Sequence, residues 1–114
     1  MVIPLLLSGY FLFQNTQHTA SANISYAKDI QPILQSRCAS CHLGKAKSAG
    51  LSMNTYASLM TGSEDGPVII PGNASQSFLV EKITAGEMPK RGPKLTPAQI
   101  QLITDWVNAG AANN

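Results

Sequence analysis

Cys38 and Cys41 are the only cysteines of the chain, and His42 follows them directly. Two thiols three positions apart and an adjacent imidazole, CxxCH, make the pattern of covalent c-type haem attachment. Each thiol adds to one vinyl group on the same porphyrin edge, so both must reach that edge from one short helical turn. His42 then lies under the ring and offers the iron a nitrogen. Other chemistries fit less well. A zinc site needs about four ligands, usually from two such clusters. A thioredoxin-like dithiol expects its CxxC after a strand in a βαβ pattern, and the residues before Cys38 read as helix. A Cys38–Cys41 disulfide closes a tiny loop and gives His42 no role.

The second axial position decides whether the iron passes electrons or meets a substrate. The candidates are Met53, Met60, Met88 and His18. His18 falls in the apolar leader described below. Met53 and Met60 lie in apolar patterns that suit a core role. Met88 stands in the otherwise polar stretch Glu87-Met88-Pro89-Lys90-Arg91-Gly92-Pro93, and Pro89 biases it to extended backbone. Met88 is therefore the preferred ligand. His/Met ligation raises the reduction potential. Filling both axial positions favours outer-sphere electron transfer over catalysis, so the expected role is an electron carrier and not an enzyme. The alternative is a haem sensor or haem enzyme with an exchangeable sixth ligand.

The groups around the cofactor follow from the same logic. A ligating histidine normally donates its other N–H to a carbonyl or carboxylate. For His42 the sequence offers carbonyls between Gly44 and Leu51, or that of Pro71. Arg37, Arg91 and Trp106 are candidates for the haem propionates. Lys45, Lys47, Lys90, Arg91 and Lys94 fall in two loops expected to border the haem. They read either as ordinary solvated charge or as a basic rim for an acidic redox partner.

The elements that position these residues read as all-α. Residues 1–22 carry no Lys, Arg, Asp or Glu, begin apolar, and end in Ala20-Ser21-Ala22, an A-x-A pattern. They resemble a secretory signal, although no basic residue opens them. The apolar run is shorter than the ~20 residues of a spanning helix, so an uncleaved anchor is the lesser reading. The expected organisation is a signal or anchor over 1–22 and one small haem domain over 23–114. Membrane contact would require the leader to be retained. Export suits the motif, since haem attachment needs reduced cysteines outside the cytoplasm, and a periplasmic or other extracytoplasmic setting is expected.

In the remaining chain, Ile30, Ile33 and Leu34 share one face of a helix over 26–37 that delivers Cys38. Pro32 is tolerated if the helix starts one or two residues before it. Asn54 or Thr55 caps a short helix through Leu59 and Met60 that ends at Gly62. Val68-Ile69-Ile70 reads as an extended wall, and Phe78, Leu79, Lys82 and Ile83 as a short helix ending at Gly86. Thr96, Pro97 and Gln99 form a capping box at the start of the last helix, and Gly110 stops it. Its apolar face is Ile100, Ile103 and Val107, with Trp106 beside them. A domain this small buries a modest core, which a porphyrin would enlarge. The net charge of +2 is too weak to indicate nucleic acid or an anionic membrane.

A family resemblance covers residues 27–111. Asp29-Ile30-Gln31-Pro32-Ile33-Leu34, the motif Cys38 to His42, Gly50-Leu51, Ile70-Pro71-Gly72-Asn73, Ser77, Met88-Pro89, Leu95-Thr96 and Trp106 through Gly110-Ala111 resemble, in order, the planctomycete-type cytochrome c domain. The resemblance implies the class I cytochrome c fold, with N- and C-terminal helices packed around one covalent haem c. It also implies His42 and Met88 as axial ligands. Family members often show Met-Pro-Pro, where this chain has Lys90. Many class I cytochromes support the histidine with a proline soon after the motif, and here none precedes Pro67. The domain is often fused to larger modules, and standing alone it suits a small monomeric carrier between redox proteins.

Overall fold

A computed structural model describes residues 23–38, 42 and 48–114. The readings of residues 1–22, Cys41, Lys45 and Lys47 lie outside these. A wide helical turn, Tyr26–Ile30, runs straight into α1, Gln31–Arg37. The short helices α2, Tyr56–Thr61, and α3, Phe78–Thr84, follow, and α4 is Pro97–Asn108. Single 3-10 turns occupy Ser48–Gly50 and Ala74–Gln76. The described residues contain no strand, only one isolated bridge between Ser63 and Gly66. They also contain no helix long and apolar enough to cross a membrane.

The first helix begins earlier than Pro32 suggests. Ser25 caps it: its Oγ accepts from Lys28 N at 3.0 Å, and its own N–H donates to Asp29 Oδ2 at 2.8 Å. The turn uses i to i+5 spacing, with Ile30 N on Ser25 O at 3.2 Å and Gln31 N on Tyr26 O. α-Helix proper starts at Gln31, which puts Pro32 in its first turn. There a missing N–H costs little. The widened register lets one helical path pass the proline.

The other caps are as the sequence predicts. Thr55 forms a capping box with Ser58, and Thr96 forms one with Gln99. Gly62 ends α2 at φ 94°, with its Cα facing the hairpin that follows. A Cβ there would sit 2.3 Å from Gly66 O, so only glycine fits.

The core forms where α4 packs on the first turn and on α3. Ile30, Leu34, Leu59, Ile103, Trp106 and Val107 are buried. Each such side chain contributes about 2 kcal/mol by leaving water. The Tyr26 ring lies between Tyr56, edge-on at 5.4 Å, and Trp106, tilted at 5.6 Å. Tyr56 Oη donates to Ala111 O, and Trp106 Nε1 donates to Ala112 O. Asn114 closes the ring of contacts: it accepts from Tyr26 N through Oδ1 and donates to Ile24 O through Nδ2. The chain's last residues are thus tied to the start of its first helix.

A second set of contacts fixes the wall between α2 and α3. Ser77 is fully buried. Its Oγ accepts from Ile70 N at 2.8 Å and donates to Asn73 O at 2.9 Å, which locks the Pro71-Gly72 turn. Gly72 N donates to Val107 O, and Ala74 N donates to Asn108 Oδ1, docking that turn on the end of α4. Leu79 N donates to Val68 O. Val68 and Ile69 are buried as an extended wall, while Ile70 points outward.

Candidate haem site

The end of α1 delivers the first functional residues. Cys38 caps the helix with its N–H on Leu34 O, and His42 N donates back to Cys38 O at 3.0 Å. Both side chains are buried. Met53 N donates to His42 O. His42 Nδ1 lies 3.0 Å from Leu51 O. A carbonyl only accepts, so the ring proton must be on Nδ1. That leaves the Nε2 lone pair available to a metal. Leu51 therefore supports the histidine, at the end of the 44–51 loop, and the Pro71 carbonyl does not. The loop is held by Glu64 N on Ala49 O at 2.9 Å.

Cys38, His42 and Met88 border one cavity of about 350 Å³, within the size range of cofactor pockets. Its walls are mainly apolar: Leu51, Met53, Val68, Phe78, Leu79, Ile83 and Pro89 join the three named residues. Phe78 is 51% exposed, a high value for a ring in so small a domain, and its exposed face belongs to this cavity. Polar groups enter at Arg37, Ser63, Asp65, Lys82 and Lys90. Arg37 Nε is buried with no hydrogen-bond partner among the described residues. A buried guanidinium N–H favours an acceptor beside it.

These features fit a haem. An imidazole with its Nε2 lone pair available, a motif thiol and a thioether border one mainly apolar cavity. An unpartnered cationic donor at its edge suits a propionate. The set provides two axial donors without a cage of carboxylates, as a metal that brings its own equatorial nitrogens requires.

Several sequence readings are corrected here. Trp106 is not a propionate partner: it is 1% exposed, bonded to Ala112 O, and stacked on Tyr26 in the helix crossing. Arg91 is exposed and does not border the cavity, which leaves Arg37. Met60 packs against the core away from the cavity. Met53 is buried in the core as expected, yet it also forms part of the cavity wall. Lys94 keeps its charge while its Nζ donates to Pro89 O. His18 lies outside the described residues.

The sequence reading did not assign Phe78, Lys82 and Ile83 to the cavity. Their spacing, i, i+4 and i+5, places them along one stripe of α3, a signal that core periodicity alone does not separate from ordinary packing. Lys82 Nζ lies 5.0 Å from the Phe78 ring centre and pairs with Glu87 Oε1 at 2.5 Å. That hydrogen bond, and then the lysine's charge, hold the Glu87 carboxyl below its usual range.

A helical domain that brings a motif histidine and a methionine to one apolar cavity fits the class of small c-type cytochromes. Residues 38–92 match the family model of Planctomycete cytochrome C. Over these residues the chain is similar to the planctomycete-type cytochrome c domain. The match opens on the first motif cysteine and closes just beyond Met88-Pro89, so it spans the cavity residues from one side to the other. Comparisons with curated proteins and with solved structures return no match.

Proposed function

We propose that this chain is an extracytoplasmic electron carrier with one covalent haem c ligated by His42 and Met88. The carrying observation is that both side chains border one cavity while Leu51 O fixes the His42 tautomer. The haem supplies a one-electron iron(III)/iron(II) couple. Cys38 and Cys41 would hold its edge through thioether bonds. The Leu51 carbonyl keeps the His42 ring from rotating and raises its basicity. Val68, Leu79 and Ile83 exclude water from the apolar side of the site, and a dry surround with a thioether ligand raises the potential. No substrate-binding group is needed for this role; the haem would supply a one-electron couple, and Phe78 and Lys90 would border it where they line the cavity.

Lys82 is paired with Glu87, whereas Lys94 keeps its full charge as its Nζ donates to Pro89 O. Lys90 and Arg91 are exposed beside them. We infer an acidic redox partner that approaches this edge, with an association rate that falls as salt rises.

Carbon monoxide binding to the reduced, haem-loaded chain tests the assignment. The carrier should bind it slowly and incompletely at neutral pH. Met88→Ala should bind it rapidly and show a lower reduction potential. Rapid, complete binding by the parent would instead favour a sensor or enzyme with an exchangeable sixth ligand. An unchanged potential in Met88→Ala would show that another residue ligates the iron.

A further inference from the structure

Met88 lies in the irregular segment between α3 and α4, so no helix ladder holds it. Its hold comes from two lysines. Lys82 grips the segment twice. Its backbone carbonyl accepts from Glu87 N at 3.0 Å and from Met88 N at 3.3 Å. Its Nζ pairs with Glu87 Oε1 at 2.5 Å while lying over the Phe78 ring. On the far side of Met88, Lys94 Nζ donates to Pro89 O. The residues immediately before and after Met88 are thus each tied to a separate ammonium group, one based on α3 and one at the approach to α4.

We propose that Lys82 and Lys94 form a clamp that keeps Met88 at the cavity, and that both are positioning residues for the axial thioether. The proposal rests on the reading of Met88 as ligand. Its physical content is kinetic. Each contact is modest, and the Lys82–Glu87 pair is partly solvated, so global stability changes little when one is removed. The segment's other restraints are the backbone bonds to Lys82 O and the packing of Met88 on the core, neither of which fixes the residues beyond Pro89. Loosening one end increases how often Met88 leaves the iron, and an external ligand reports each departure.

The probe is imidazole, mixed with the oxidised, haem-loaded full chain. The rate of its binding is followed together with the weak red absorption of the thioether–iron(III) bond. Lys82→Ala should speed binding about two- to fivefold, the scale of an exposed ion pair. Lys94→Ala should speed it about tenfold, because a charged donor then leaves a part-buried carbonyl. Lys82→Arg should restore the parent rate, since the guanidinium reaches Glu87 and covers Phe78 equally well. Parent-like rates in both alanine variants would overturn the clamp while Met88→Ala still binds fast. If the parent itself binds imidazole at once, and Met88→Ala binds no faster, the ligand assignment fails and the clamp falls with it.

Discussion

The helix crossing and the cavity wall treat their large side chains in opposite ways. At the crossing, Trp106 is 1% exposed, its Nε1 is bonded to Ala112 O, and its ring packs on Tyr26. The Tyr56 hydroxyl has the Ala111 carbonyl, and Asn114 ties down the first turn. At the cavity, Phe78 shows half its surface, and Arg37 Nε has no partner among the described residues. One region is completed by the chain's own groups except at Tyr26 Oη. In the other, Phe78, Arg37, His42 and Met88 border an apolar cavity, which suits the flat, anionic-edged cofactor proposed above. The contrast points to the same cavity that the cysteine motif borders.

Two substitutions sharpen this contrast. Trp106→Ala carries the largest expected effect. It removes the biggest buried side chain and leaves Ala112 O unpartnered, at a cost of about 4 kcal/mol. Thermal unfolding of the haem-loaded chain should fall by about 20 °C, given ~4–8 °C per kcal/mol in a domain of this size. The visible spectrum of the folded variant should stay that of the parent, because Trp106 does not border the cavity. A changed axial-ligand spectrum would show that the two regions are not separate. Phe78→Ala should cost about 2 kcal/mol in the haem-loaded chain, measured by urea unfolding, as for a ring that packs on another surface. A loss within ~0.5 kcal/mol, ordinary for an exposed residue, would mean that nothing covers Phe78 and would break the comparison.

The crossing was more legible in the sequence than the cavity. Thr96, Pro97 and Gln99 announce α4 through local chemistry that depends on neighbours three residues away, and Thr55 with Gly62 does the same for α2. The CxxCH motif names its cofactor for an equally local reason, since two thiols must reach one porphyrin edge. Met88 could be singled out because a lone apolar side chain in a polar stretch asks for a use, and it borders the same cavity as His42. What failed depends on distance along the chain. Trp106 sits beside the α4 apolar face whichever partner it meets, and only the pairing with Tyr26 and Ala112 shows that its N–H is engaged. Arg37 and Arg91 are equivalent as sequence, yet one ends a helix at the cavity and the other points to solvent. The wide turn at Tyr26 was hidden because Pro32 argues for a late start, while the Ser25–Asp29 contacts that permit an early one are a property of the folded turn.

The smallest predicted effect probes the one loose polar group on the completed side. Tyr26 Oη is buried with no hydrogen-bond partner among the described residues. Burial, and secondarily the nearby Tyr56, push its pKa above the usual phenol value. The neutral phenol is therefore the form the fold favours. Below the unfolded pKa of about 10 both states keep the proton, and this group's contribution is fully present. As pH rises further, the unfolded chain ionises first, so stability is lost until the raised folded value is passed. Tyr26→Phe keeps the ring against Trp106 and Tyr56 and removes an unpaired hydroxyl. It should leave neutral-pH stability unchanged or raise it by up to about 1 kcal/mol, and it should flatten the alkaline fall in a series of melts above pH 10. A variant that melts well below the parent at neutral pH would reveal that the hydroxyl is bonded, and the helix crossing would then owe part of its hold to a polar contact instead of packing alone.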